Sequence, residues 1–123
     1  MKIFLIILGG SAGAVCRYAV NLLAAKFWGS DFPWGTLIVN LSGCFLIGLV
    51  FGLAERAEWV TPLFRLFFVT GFLGALTTFS SFGIETANLV IAGHHLPAAA
   101  NFLVNNTGGL LLVFLGLGAA KIM

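Results

Sequence analysis

Thr70-Gly71-Phe72-Leu73-Gly74-Ala75-Leu76-Thr77-Thr78-Phe79-Ser80-Ser81-Phe82-Gly83 is the stretch on which the fold turns. It carries no charge and lies inside a longer apolar run from Pro62 to Ala92, 31 residues in all. At ~1.5 Å per residue a continuous helix of that length reaches about 46 Å, well past the ~30 Å hydrocarbon core of a bilayer. Such a helix must tilt, protrude or break. The place for a break is visible. Gly71 and Gly74 lower helix propensity, and the hydroxyls of Thr77, Thr78, Ser80 and Ser81 compete for backbone hydrogen bonds. Opened backbone at membrane depth survives only where protein buries it or where it lines a polar cavity. Two readings stand side by side: a mid-membrane ion or substrate site, and a Ser/Thr-rich helix whose hydroxyls bond back to i−4 carbonyls.

The rest of the chain supports a membrane setting. Of 123 residues, 60% are hydrophobic and 8% charged, against roughly 25% charged in soluble domains. The mean hydropathy is +1.10. Six Lys+Arg and four Asp+Glu cannot cover the surface of a soluble fold. Composition therefore excludes an ordinary soluble protein, a disordered chain and a nucleic-acid binder. Reading between the charges predicts a single all-α membrane domain over 1–123 with four spans at about 3–27, 34–54, 62–92 and 96–121. Gly29-Ser30-Asp31-Phe32-Pro33 is a turn, Glu55 to Trp59 an interfacial loop, and Gly93-His94-His95 the last turn. Trp28, Trp34 and Trp59 fall at expected interfaces. Lys2 is followed by only six apolar residues before Gly9-Gly10, so a cleaved signal peptide is not expected. Lys2, Arg56, Arg65 and Lys121 against Lys26 lean toward an N-in, C-in orientation. Cys16 and Cys44 lie in apolar stretches without metal-ligand spacing and read as small packing residues.

Polar groups inside the spans are few and each needs a partner. Thr70, Gly74, Thr77, Ser81, Glu85 and Asn88 recur at helical spacing and predict one small-or-polar stripe. Phe79 and Phe82 form an aromatic face beside it, whose ring edges carry the positive end of the quadrupole. Arg17 either snorkels to an interface or attracts anions. Asn40 is either interhelical glue or a pore-lining donor. Asn101, Asn105, Asn106 and Thr107 weight the fourth span toward a hydrated groove. Gly9 with Gly13, and Gly48 with Gly52, permit close helix contact or dimerisation. Glu85 is the one acidic residue within a span, a position that often marks proton or cation coupling. No Ser/His/Asp set, metal-ligand cluster or phosphate loop is present, so no enzyme is expected.

Three motifs, in order and at four-helix spacing, carry a resemblance that covers essentially the whole chain. Gly9-Gly10-Ser11-Ala12-Gly13-Ala14-Val15-Cys16-Arg17-Tyr18 resembles the GGxxGAxxRY start of the CrcB/Fluc fluoride channels. Gly35-Thr36-Leu37-Ile38-Val39-Asn40 resembles their GTLxVN, and the Thr70 to Phe82 stretch resembles their TGFxGGxTTFSTF, the most specific of the three. The resemblance implies an antiparallel, dual-topology homodimer of four-helix subunits, with the third helix broken mid-membrane and two fluoride pores. It implies that Gly74 and Thr77 give backbone carbonyls to a structural sodium ion at the dimer centre. It implies that Phe79 and Phe82 line the fluoride path, with Asn40 as a donor and Thr78, Ser80 and Ser81 as the motif's hydroxyls. Arg17 and Glu85 would belong to the vestibules.

The chain departs from the family pattern at Ala75, where a second Gly is usual, and at Ser81, where Thr is commoner. The fourth helix usually supplies hydroxyls where this chain has Gly109 and Val113, leaving Asn105 or Thr107 as substitutes. The function expected is a passive fluoride-selective channel of the cell inner (plasma) membrane, with fluoride, lipid and a second copy of the chain as partners. The alternative is a small dual-topology proton-coupled exporter of the small multidrug resistance type. That family places its essential Glu in the first helix, where this chain has Arg17.

Overall fold

The computed structural model describes all 123 residues. It is all helix, with four helical runs long and apolar enough to cross a membrane: Lys2–Trp28, Trp34–Ala54, Pro62–Ile91 and His95–Ile122. The first is α1 and the second α2. Gly29, at φ 78°, ends α1 in a left-handed conformation that suits glycine. The third run divides into α3, residues 62–76, and α4 (Phe79–Ile91). The fourth run is α5.

Local chemistry explains the ends. Thr61 caps α3, its hydroxyl accepting from the Phe64 N–H at 3.1 Å, with Pro62 in the first turn. At the far end of α4, Gly93 takes φ 80°. The His94 N–H reaches the Leu89 carbonyl at 2.8 Å, and the Gly93 N–H reaches that of Val90 at 3.0 Å. These two bonds are the pattern that closes a helix on a left-handed glycine. α5 begins at His95, one residue before the expected 96, so only His94 of the pair stays in the turn. Two π-helical stretches, Leu66–Leu73 in α3 and Val104–Gly108 in α5, have no sequence signal.

Between α3 and α4 the backbone is extended at two residues. Thr77 has ψ 155° and Thr78 ψ 115°. The single stripe expected from Thr70 to Asn88 is therefore not one face. Two extended residues remove the helical register that the spacing assumes. Gly74 and Thr77 turn to one cavity, and Glu85 and Asn88 to another.

Packing follows small residues. A Cβ at Gly9 would collide with the Phe67 carbonyl oxygen, and one at Gly13 with that of Phe72. The Gly9/Gly13 pair thus serves contact of α1 with α3 inside one chain. A Cβ at Gly48 would strike the Val113 carbonyl, and one at Gly116 that of Phe45, so α2 and α5 also meet backbone to backbone. Helices in lipid gain little from apolar burial and associate through such close approach. Val39, Leu73 and Leu76 form the buried apolar centre, with Phe68 and Phe72 against it. Large apolar side chains such as Ile3, Phe4, Val15, Leu111 and Phe114 face outward, as lipid contact requires.

Candidate functional site

The site is built on the extended residues Thr77 and Thr78. In a continuous helix the Thr78 N–H would bond to the Gly74 carbonyl. Here it bonds to Asn40 Oδ1 of α2 at 2.8 Å, and Asn40 Nδ2 donates to the Thr78 carbonyl at 3.1 Å. One amide side chain thus holds both polar groups of an opened residue. This is how backbone loses its helical bonds without leaving a buried group unmatched. On the other side, the Ser81 N–H turns from the Thr77 carbonyl to Thr78 Oγ1 at 3.2 Å, an N-cap for α4. Thr78 Oγ1 also meets Ser81 Oγ at 3.1 Å and Ser80 Oγ at 3.3 Å. The Gly74 and Thr77 carbonyls have therefore lost the N–H partners that a continuous helix would supply.

A cavity of about 350 Å³ opens on this segment, lined among others by Asn40, Gly74, Thr77, Phe79, Phe82 and Asn105. The rings of Phe79 and Phe82 lie 5.3 Å apart at 54°. Their surroundings differ: Phe82 is 5% exposed and Phe79 79% exposed in the single chain.

Asn40 is also the start of a longer amide series. Its Nδ2 donates to Asn105 Oδ1 at 3.0 Å. Asn105 Nδ2 donates to Asn101, to Oδ1 at 2.9 Å and to the backbone carbonyl at 3.0 Å. Asn101 Nδ2 donates to Thr86 Oγ1 at 2.9 Å, and Thr86 Oγ1 to the Phe82 carbonyl at 2.7 Å. Asn101 is fully buried. The groove expected along Asn101 and Asn105 is at Asn101 a dry contact between α4 and α5. Thr86, not among the expected site residues, completes the series. No periodicity marks it, because only the turn at Gly93 brings it opposite Asn101.

The remaining expected residues divide. Asn105 joins Asn40, whereas Thr107 is exposed and returns its hydroxyl to the Leu103 carbonyl. Gly109 packs on Cys44, where a Cβ would come within 3.2 Å of the sulfur, and the Val113 carbonyl lies on Gly48. The two positions without the usual hydroxyls are thus occupied by the α2–α5 contact. Glu85 stands away from the Asn40 cavity. Its Oε1 accepts from the buried Thr36 hydroxyl at 2.8 Å, while Oε2 has no partner. It lines a separate cavity of about 470 Å³ beside the α1–α2 turn, with Asn21, Asp31 and Asn88. Arg17 is half-buried on α1 and lines neither cavity.

Four spanning helices around a buried, amide-held opening in the third define a multi-pass membrane protein with a polar interior. A family profile described as "CrcB-like protein, Camphor Resistance (CrcB)" matches residues 4–117, and the chain belongs to this family. A protein of Legionella pneumophila (strain Paris) named "Fluoride-specific ion channel FluC" is 46% identical over 114 residues, covering 93% of this chain and 85% of the relative. A protein of that name from Shewanella pealeana is 45% identical over 115 residues, covering 94% and 92%. Another from Nitrosococcus oceani is 40% identical over 122 residues, covering 99% and 98%.

Proposed function

We propose that this protein is a fluoride-selective passive channel of the plasma membrane, acting as an antiparallel homodimer. The observation that carries the reading is the opened segment at Thr77 and Thr78, held by Asn40 and sharing one cavity with Phe79 and Phe82. The names of the relatives point the same way. Fluoride is small and strongly hydrated, so a pore must replace its water with donors, none binding too tightly. The hydroxyls of Ser80 and Ser81 and the positive ring edges of Phe79 and Phe82 are such donors, whereas Asn40 Nδ2 and the Thr78 hydroxyl already donate inside the protein and would serve fluoride only by exchanging one of those bonds. Glu85 takes the part of a group at a pore mouth, in the cavity beside the α1–α2 turn. Arg17 would act only through the field of a vestibule.

A second copy of the chain would cover what one copy leaves bare. Thr70 and Gly74 are exposed beside the cavity, and Phe79 stands out from it. A structural sodium ion fits the same place. The Gly74 and Thr77 carbonyls lack the N–H partners of a continuous helix, and carbonyl oxygen suits a hard cation. A bound sodium ion would supply fixed positive potential near the path. The residues' own part is to hold those carbonyls open, which Asn40 and the Thr78 cap do.

Fluoride efflux from liposomes, followed with a fluoride electrode and with chloride as control, tests the channel. Rapid fluoride release without chloride leak, indifferent to a pH gradient, is expected. Release that needs a proton gradient and is lost in Glu85→Gln would replace this reading with the proton-coupled exporter. Replacing sodium by a large organic cation should lower the melting temperature of the purified dimer, and an unchanged melting curve removes the ion from the proposal.

A further inference from the structure

We propose that Thr86 and Asn101, neither of which lines the Asn40 cavity, are positioning residues that hold Asn105 Oδ1 in place to accept from Asn40, whose own amide is oriented by the Thr78 N–H and carbonyl. The inference rests on the channel reading above. It begins with the two ends of the series. At one end the Thr78 N–H can only donate. The Asn40 atom facing it must therefore be the oxygen, which turns Asn40 Nδ2 to Asn105. At the other end the Phe82 carbonyl can only accept. The Thr86 hydroxyl spends its single proton there, leaving its oxygen to accept from Asn101 Nδ2. Asn101 Oδ1 must then accept from Asn105 Nδ2, and Asn105 Oδ1 from Asn40 Nδ2. Four links run in one direction, and both ends demand the same one.

An amide alone does not hold a direction, since its two ends have nearly the same shape. Turning Asn105 over costs little sterically but sets its oxygen against the Asn101 backbone carbonyl, to which its Nδ2 donates at 3.0 Å. It would then set N–H against N–H at Asn40 and push that side chain from Thr78. Thr86 adds to this restraint by turning Asn101 Oδ1 toward Asn105, at a side chain sealed from water that could otherwise satisfy either orientation. Neither residue touches an ion. Their effect on fluoride passes through Asn105, as the acceptor of Asn40, and through the Phe82 carbonyl.

The test separates polarity from packing, because Thr86→Val keeps the shape and loses the hydroxyl while Thr86→Ser keeps the hydroxyl and loses a methyl. In proteoliposomes, Thr86→Val should slow fluoride release about tenfold, the worth of one directed hydrogen bond. Thr86→Ser should stay close to wild type, and Asn101→Leu should be slowed at least as much as Thr86→Val. A packing role predicts the reverse order of the two Thr86 variants. Wild-type release from Thr86→Val, a Ser variant slower than Val, or wild-type release from Asn101→Leu would each overturn the proposal. If Thr86→Val fails to assemble, Thr86→Ser against Thr86→Ala carries the same contrast, and equal rates overturn it. Wild-type protein that releases no fluoride removes the channel reading itself. Wild-type protein that releases fluoride at the rate of Thr86→Val removes only this inference.

Discussion

From Phe45 to Gly52, α2 lies on α5 backbone to backbone, with Gly48 against the Val113 carbonyl, Gly116 against that of Phe45 and Gly52 against Ala120. Less than two turns earlier the same helix meets α5 through side-chain amides, Asn40 to Asn105 at 3.0 Å. Both contacts answer the same difficulty: apolar burial does not drive helices together in lipid. The glycine contact answers it by proximity, which has no direction and tolerates no added atom. The amide contact answers it with directed bonds, which tolerate changes of size better than changes of donor and acceptor. The first holds the helix pair. The second holds the opened segment.

Substitution should therefore damage the two contacts differently. Gly116→Val puts side-chain atoms where the Phe45 carbonyl and the Leu49 N–H stand. Overpacking of this kind costs about 3 kcal/mol, and the expected outcome is loss of assembled protein on size exclusion. A monodisperse, conducting Gly116→Val would break the comparison at its steric end. Asn40→Asp tests the directed end. A carboxylate still accepts from the Thr78 N–H but no longer donates to Asn105, and it repels an anion. Like charges ~4 Å apart at an effective dielectric of ~20 repel by about 4 kcal/mol, so fluoride flux should fall at least a hundredfold while assembly survives. Normal flux would take Asn40 out of the path. Thr107→Val should change least. Its hydroxyl only returns to Leu103 on an exposed face, and surface changes of this kind lie within about 0.5 kcal/mol. A large loss of flux there would mean that the polar route runs on the outer side of α5, away from Asn105.

Much of the fold is legible in single residues. The turns at Gly29 and Gly93 and the helix start at Pro62 each follow from a residue's own backbone preference. A break is one of the outcomes that the excess length allows, since the 31-residue run from Pro62 to Ala92 exceeds one span and hydroxyls cluster at its centre. Of the candidate site, Asn40, Thr77, Thr78 and Phe82 stand out as residues that lipid would not tolerate or that cluster oddly. The partition of Glu85 from Asn40 is not legible. Spacing along an unbroken helix puts Glu85 and Thr77 on one face, and the two extended residues undo that spacing. Thr86 is hidden for a different reason, because a lone Thr in a helix ordinarily bonds back to its i−4 carbonyl. It does so here, to Phe82, and its importance lies in what its oxygen then receives from another helix.

That the chain lives in a membrane, how many times it crosses, and which hydroxyl-rich stretch of the third crossing can open are all written in the sequence. These follow from sums over neighbouring residues: hydropathy over a span, helix length against bilayer thickness, hydroxyls against helical bonds. Which polar groups meet depends on how the helices pack. Asn40 and Thr78 are 38 residues apart, and Asn40 and Asn105 are 65 apart. The second pairing depends on glycines elsewhere that let α2 and α5 come close enough for amides to touch. The direction of the hydrogen bonds belongs to no single residue. It is set by backbone groups along the series, the N–H and carbonyl of Thr78 and the carbonyls of Asn101 and Phe82, which admit only one arrangement of the side chains between them.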